Sequence, residues 1–249
     1  MLQIKDNLSI KLLQGLSSKN KLVYINFKRF FDIIFSIFGI IITGPIMLFS
    51  ICCLYLTGEK KPIFNQLRVG KNKQLFRLYK LRTMNENGAN NSGPITLHND
   101  DRITFFGKFL RWSKIDEFPQ FFNILNGDLS FVGPRPLMPE TFYKHKKSTQ
   151  KKITTIRPGI SGIGSIIFRN ESFILKTVNK DKQELLYINN ILPYKGELEE
   201  WYIENRSFIM DLKLLIFSCL VVVYSRVRGL NSFFKGLPIS KNLETHLNS

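Results

Sequence analysis

Acidic residues are scarce in this chain: 19 Asp and Glu stand against 36 Lys and Arg among 249 residues, a formal net charge of +17. Such an imbalance points to an anionic partner, whether phosphorylated small molecules, an anionic membrane surface or nucleic acid. Cysteine and histidine are scarcer still, three of each. Cys52, Cys53 and Cys219 lie in apolar runs without metal-ligand spacing, and the neighbours 52 and 53 are poorly placed to bridge. They read as reduced thiols in a reducing compartment. His98, His145 and His246 are scattered, so a structural zinc site is excluded. No helix-turn-helix, zinc or RRM signature accompanies the basic charge, which argues against a nucleic-acid partner. There is no internal repeat and no cleavable signal peptide: the first long apolar run starts too late and has no small-residue cleavage site at its end. With 44% apolar residues, wholesale disorder is excluded as well, and the length suits one sizeable domain with an appendage.

What is present begins with Ile33 to Leu56, 24 residues without a charge. The run is long enough to cross a hydrocarbon core of about 30 Å. Pro45, following Gly44, sits near its middle. A proline there frees the carbonyl of Ile41 and favours a bend, and glycine eases it. Each half is about 17 Å long at 1.5 Å per residue, too short to cross alone, and Thr43 is placed to satisfy a freed carbonyl. Both flanks are basic: Met1 to Arg29 holds six basic residues and one acid, and Glu59-Lys60-Lys61 opens a strongly basic region. Basic flanks favour the cytoplasm, and a helix that enters and returns keeps both there. The expectation is a re-entrant helix bent at Gly44 and Pro45.

Beyond this anchor, Pro62 to Met84 reads as two short strands around Gly70-Lys71-Asn72. Residues 85 to 100 are rich in Asn, Gly and Ser and read as a loop. Asp101 to Ser113 reads as a helix with an acidic start, with Phe105, Phe109 and Trp112 on one stripe. That stripe suits either a core contact or a membrane interface. Leu214 to Ser225 is apolar but too short to cross, and the arginine–phenylalanine tail after it suits a headgroup region. The ends, 1 to 24 and 238 to 249, are expected to be poorly ordered.

Against the general excess of base, Asp116 and Glu117 stand together after a stretch, Arg102 to Ile115, with four basic side chains and no acid. Pro119 belongs in the first turn of a helix, so a helix starts close to Asp116. The plain reading is an acidic N-cap followed by a first-turn glutamate, with the helix start keeping the carboxylate ionised. The surroundings suggest more. Gly133-Pro134-Arg135-Pro136 forms a rigid turn carrying one arginine. Arg157 precedes Pro158-Gly159 and a glycine-rich stretch whose backbone N–H groups suit an anion. Lys80, Arg82 and Arg111 come earlier. Carboxylates among such cations suit a magnesium-bridged diphosphate, and a carboxylate can be a nucleophile at phosphorus.

The segments KRFFD, TGPIM, IFNQLRVG, LYKLRTM, FGKFLRWSKIDEFPQFFNILNGDLSFVGPRP and RPGISG resemble the small monotopic bacterial sugar transferases, the polyprenyl-phosphate phosphoglycosyl transferases that initiate surface glycan assembly. The resemblance runs from about Phe27 to Val223. It implies an enzyme of the cytoplasmic face of the bacterial inner membrane that moves a sugar-1-phosphate from a UDP-sugar to undecaprenyl phosphate, releasing UMP, with Mg2+ as cofactor. It implies Asp116 as nucleophile and metal ligand, Glu117 as its partner at the metal or in deprotonating the acceptor, and Lys80, Arg111, Arg135 and Arg157 as phosphate-binding residues. The family often carries Ser-Pro at the membrane bend, where this chain has Gly44-Pro45. After RPGISG many members read WAQ, where this chain reads IGSIIFRNES. No extra N-terminal spans are present, which implies the minimal membrane form. The expected fold is α+β: a mostly helical membrane-associated domain with a re-entrant N-terminal helix, a small β-hairpin and amphipathic interfacial helices. The expected division is an extension (1–26), a membrane helix-hairpin (27–58), a cytoplasmic catalytic domain (59–225) and a basic tail (226–249). Anionic lipids are the further partner expected. A non-catalytic, membrane-anchored basic scaffold would explain the anchor and charge but not the Asp-Glu, Gly-Pro-Arg-Pro and Arg-Pro-Gly set.

Overall fold

The computed structural model describes residues 2–85, 102–169, 171–176, 178, 180–223, 233–240 and 243. The Asn/Gly/Ser-rich stretch beyond Asn85 lies outside them, as do Asp101 and much of the segment after Val223. The fold is mostly helical with two small sheets.

Helix α1, Leu2–Leu56, includes the 24-residue uncharged run and continues across Pro45 without interruption. The N-terminal stretch expected to be loose is therefore helical. Thr43 Oγ1 donates to the Gly39 carbonyl at 2.7 Å, one turn back along its own helix. The carbonyl that Pro45 frees is Ile41's, so Thr43 is not its partner. Within α1, Leu22–Leu56 is long and apolar enough to cross a membrane, yet only 17% of its most apolar window is covered by protein. Ile34, Phe38, Ile41, Ile42, Leu48 and Phe49 all face outward. The inward stripe is Asp32, Ser36, Gly39, half-buried Thr43, Met47, Ser50 and Leu54, spaced three or four residues apart as one helix face requires.

Strands β1 (Ile63–Val69) and β2 (Leu75–Leu81) pair antiparallel from Ile63↔Leu81 to Val69↔Leu75, the expected hairpin. Asn72 and Lys73 turn its tip with φ of 53° and 62°, a region Asn tolerates better than most residues. Helix α2, Phe105–Ser113, starts at Thr104, whose Oγ1 accepts from the Gly107 N–H. Helix α3, Gln120–Asn126, then leads to β3 (Ser130–Val132). Strand β3 pairs in parallel with β4 (Gly159–Ser161), which was not anticipated. Between them lie α4 (Pro139–Phe142) and α5 (Lys147–Ile153). After β4 come α6 (Ile163–Ile167), α7 (Glu171–Lys176), α8 (Lys180–Leu186), α9 (Leu192–Asn205) and α10 (Phe208–Val223).

The main core joins β3, α6, α9 and α10 through Val132, Ile163, Leu198, Tyr202 and Leu214, all essentially inaccessible. Phe234 belongs to it, packed edge-on against Trp201, and the Pro238 carbonyl accepts from the Tyr194 hydroxyl at 2.9 Å. The described part of the tail is thus tied to the core rather than loose. A smaller cluster, Leu54, Leu81 and Leu110 with Ile51, Phe106 and Ile115, holds the C-terminal end of α1 against β2 and α2.

Candidate active site

The carboxylate pair sits where three elements meet. Lys114 closes α2 in the left-handed conformation, φ 62°, so the chain turns sharply. Residues Ile115–Glu117 then form one tight turn, and Pro119 leads into α3 in helical conformation without a side-chain cap. Asp116 therefore does not cap α3. It points inward, 6% exposed, while Ile115 anchors the turn to the cluster around Leu54. Strand β2 supplies the opposite wall. Buried Asn123 of α3 pins it: its Oδ1 accepts from the Tyr79 N–H at 3.0 Å and its Nδ2 donates to the Arg77 carbonyl at 2.8 Å. One residue along, Lys80 Nζ reaches Glu117 Oε1 at 3.1 Å. Buried Thr83 accepts from Arg111 Nε at 2.8 Å, and α2 can approach so closely because position 107 is glycine: a Cβ there would stand 2.2 Å from the Thr83 carbonyl oxygen.

The two carboxylates are driven apart electrostatically. Burial pushes Asp116 up to about 6; Glu117 adds to this, while Lys80, Lys114 and Arg111 oppose it. Its Oδ1 is buried with no hydrogen-bond partner. Burial also acts on Glu117, but Lys80, Lys114 and Arg135 outweigh it and hold that carboxyl below the usual glutamate range. Burial thus opposes the help expected from a helix start, raising the carboxyl instead of lowering it. The result is one firmly ionised, lysine-paired carboxylate beside one poised near neutrality with an open oxygen, a division typical of acid–base and nucleophilic sites.

Lys80, Arg111, Asp116 and Glu117 come together as a group. Arg135 approaches from another side: its field reaches Glu117, while its exposed guanidinium donates through Nη1 to Ser165 Oγ at 3.3 Å. Arg157 turns elsewhere. Its Nε donates to the Gly127 carbonyl at 2.8 Å, beside Arg29, whose Nη1 and Nη2 donate to the Ile124 and Leu125 carbonyls at 2.6 and 2.9 Å. These two guanidiniums serve the C-terminal end of α3, where bare carbonyls attract cations. The glycine-rich stretch is no open anion cradle either. The Gly133 N–H donates to the Ser161 carbonyl and the Gly159 N–H to the Pro134 carbonyl, both at 2.9 Å. Its glycines permit contact instead: a Cβ on Gly159 would fall 2.0 Å from the Gly133 nitrogen. Gly44 and Pro45 are on α1, with open space where a Gly44 side chain would lie.

Sequence reasoning missed Lys114, Thr83, Arg29, Asp32 and Glu199. Asp32 is buried, and its Oδ1 accepts from Ser130 Oγ and the Phe131 N–H, both at 3.1 Å. Arg29 and Asp32 had a signal: charges three apart at the edge of an apolar run share a helix face. Glu199 had none, one acid among several in Glu197-Leu198-Glu199-Glu200.

The donor chemistry fits a hard divalent cation. Asp116 offers an unused buried oxygen and Glu117 lies beside it. Oxygen-seeking cations such as Mg2+ take one or two carboxylates and complete their shell with substrate phosphate and water. Among the described residues no set of three His, Cys, Asp or Glu could hold a metal by itself.

The sequence model of a family described as bacterial sugar transferase matches residues 23–225. The chain is 34% identical over 207 residues to the galactosyl transferase CpsE of Streptococcus agalactiae, covering 79% of this chain and 42% of that protein. It is 36% identical over 197 residues to an uncharacterized sugar transferase, EpsL, of Bacillus subtilis, covering 78% of this chain and 85% of that protein. It is 30% identical over 212 residues to the undecaprenyl-phosphate galactose phosphotransferase of Salmonella typhimurium, covering 79% and 40%. The chain therefore spans about two fifths of the length of some curated relatives and most of the length of another.

Proposed function

The chain belongs to the bacterial sugar transferase family, and we propose that it transfers a sugar-1-phosphate from a UDP-sugar to undecaprenyl phosphate, releasing UMP, as the first membrane step in building a surface glycan. Asp116 attacks the phosphorus that bears the sugar. The bond between that phosphorus and the bridging oxygen breaks, UMP leaves, and an aspartyl phosphosugar remains. An oxygen of undecaprenyl phosphate then attacks the same phosphorus and frees the carboxylate. The observation carrying this reading is the buried Oδ1 of Asp116, without a hydrogen-bond partner, beside the Glu117–Lys80 pair. Lys80 and Arg111 neutralise charge near the transferred group and Arg135 reaches it from the facing loop; such positioning and neutralisation are most of what phosphoryl transfer asks of a protein. Asp116 and Glu117 would hold Mg2+, which when bound would polarise phosphate oxygens. Arg157 in this reading supports α3 rather than phosphate.

The anchor is read as re-entrant, on the cytoplasmic face of the cell membrane. Two contacts support this. Lys28 Nζ meets Asp211 Oδ2 at 2.5 Å near one end of the apolar segment, and Leu54 packs with Leu81 and Leu110 at the other. A straight crossing would carry those two ends to opposite sides of the bilayer, yet both are held by one folded body. The outward stripe of α2 also fits: Phe105, Phe109 and Trp112 are 93%, 48% and 80% exposed, which sets aside the core-facing alternative and suits an interfacial helix. Anionic lipids would be attracted by the net charge of +17.

The test is purified protein with magnesium, polyprenyl phosphate and a panel of UDP-galactose, UDP-glucose and UDP-N-acetylgalactosamine, read as UMP and as a phosphosugar adduct by intact mass. Asp116→Asn is expected to give neither product. Turnover by that variant refutes the nucleophile. For topology, single cysteines at Val23 and Lys71, in a background lacking Cys52, Cys53 and Cys219, are expected to label from the same side; opposite labelling would mean a true span.

A further inference from the structure

Pro134 and Pro136 have no N–H, so the arginine between them carries the only backbone donor of the triplet 134–136. That donor is committed. The Arg135 N–H points at Glu199 Oε1 at 3.4 Å, and the Gly164 N–H is directed at the same carboxylate. Glu199 belongs to α9, 64 residues from Arg135, and is 6% exposed. The rest of the loop is fixed too. The Pro134 carbonyl accepts from the Gly159 N–H, the Pro136 carbonyl from Arg68 Nη1, and the Leu137 carbonyl from the Val69 N–H, each at 2.9 Å. These four backbone groups around Arg135 thus have partners on α9, β4 and β1, while the guanidinium stays exposed.

Burying a carboxylate is costly unless hydrogen bonds and nearby cations offset the loss of water, as the Arg135 and Gly164 N–H groups and Lys195 partly do here. Here it joins three pieces: the Gly-Pro-Arg-Pro loop, the start of α6, and α9. Gly164 records how close the fit is, because a Cβ there would stand 2.7 Å from Glu199 Oε1. Arg135 also donates to Ser165, the next residue along, within the stretch that departs from the common family pattern. Glu199 Oε2 is buried without a partner and lines a small cavity with Arg135, His145 and Lys195. The cavity is too small for a sugar nucleotide, so we do not read it as a ligand site.

We propose that Glu199 is a positioning residue: through the Arg135 and Gly164 N–H groups it fixes the backbone from which the Arg135 guanidinium reaches the transferred phosphosugar. This rests on the phosphosugar-transfer reading above. Glu199 itself touches no substrate; it acts by setting where Arg135 begins.

A double-mutant cycle in the UMP-release assay tests this. Glu199→Ala is expected to lower kcat/KM about tenfold or more in the wild-type background, and by no more than about twofold when Arg135→Ala is already present, because residues acting through one another do not contribute independently. Gly164→Ala keeps the carboxylate but displaces it, and the same background dependence is expected; it carries the test alone should Glu199→Ala fail to fold. Equal fold-losses with and without Arg135 would overturn the proposal, since a general structural role is indifferent to that side chain. Wild-type protein that releases no UMP from any donor would instead overturn the transfer reading, and this inference with it.

Discussion

Replacing Asp116 by Asn should stabilise the protein while abolishing its chemistry, and the stabilisation should depend on pH in a fixed direction. Burial raises this carboxyl from 3.8 to about 6. A folded-state value above the unfolded one means that ionisation opposes folding. The penalty is absent only where the group is protonated in both states, below the unfolded value of 3.8. It grows as pH rises through the interval, and is complete above about 6. The shift corresponds to about 3 kcal/mol, at 1.36 kcal/mol per pKa unit. Asparagine has nearly the same shape and never ionises, so it escapes the penalty. For a chain of this size 1 kcal/mol moves Tm by roughly 2–4 °C. The variant should therefore melt roughly 6–12 °C above wild type at pH 7.5, and the gap should narrow as pH falls towards 4.5. The assay is thermal unfolding of both proteins in detergent with chelator, at several pH values, judged by the difference between them. Adding Mg2+ at pH 7.5 should then raise the wild-type Tm and leave the variant nearly unmoved, because a ligand stabilises only the state that binds it. A variant that melts below wild type at pH 7.5, or a gap independent of pH, refutes the claim that Asp116 is held in a costly ionised state.

Two further predictions address the surroundings of that carboxylate. Lys80→Met removes the ion pair with Glu117 at 3.1 Å and the largest opposing charge on Asp116, so both carboxyls rise; the acid limb of kcat/KM, expected near 6 in wild type, should move to higher pH, with Lys80→Arg restoring most of the shift, and an unmoved limb would show that Lys80 does not tune the pair. The double variant Phe105→Ser, Trp112→Ser alters side chains 93% and 80% exposed, so Tm in detergent should stay within about 2 °C, as for surface changes generally, while retention on anionic vesicles in high salt should drop; unchanged retention would remove α2 from the interface.

The hairpin of β1 and β2 was legible because alternation and turn chemistry act locally: the run from Ile63 to Leu81 pairs with its own continuation. The carboxylate pair was legible as a site because Asp116 and Glu117 interrupt a basic stretch. Their inequality was not. It depends on Lys80, 37 residues from Glu117, and on burial produced by the contact of Ile115 with Leu54, a residue of the membrane helix. Asp116 was read as a helix cap because Pro119 sets a helix start close by; the left-handed Lys114 turns the carboxylate inward instead. The glycines of the 159–164 stretch announced close backbone approach but not its objects: Gly159 meets a second strand, and Gly164 the protein's own Glu199 carboxylate. Arg157 illustrates the limit most clearly. An arginine before Pro-Gly is equally suited to phosphate and to a helix terminus, and the choice is made by Gly127, 30 residues away.

These long-range contacts also explain how the anchor and the chemistry are joined. Arg29 grips the carbonyls of Ile124 and Leu125 at one end of α3, and Asp116 and Glu117 precede its other end. Gly39 lets Phe121 of α3 lie flat on α1, with ring atoms 3.1–3.2 Å from where a Cβ would stand. Leu54 holds the turn of Ile115 from below. Helix α3 is thus clamped to the membrane helix near both of its ends, and the carboxylate pair cannot change depth unless α1 moves with it. A flexible tether would leave the reactive oxygen free to sample any height above the bilayer. In the proposed setting, two contacts more than 20 residues apart on α1 would fix that height, which is what the proposed reaction between a water-soluble donor and a lipid-bound phosphate requires.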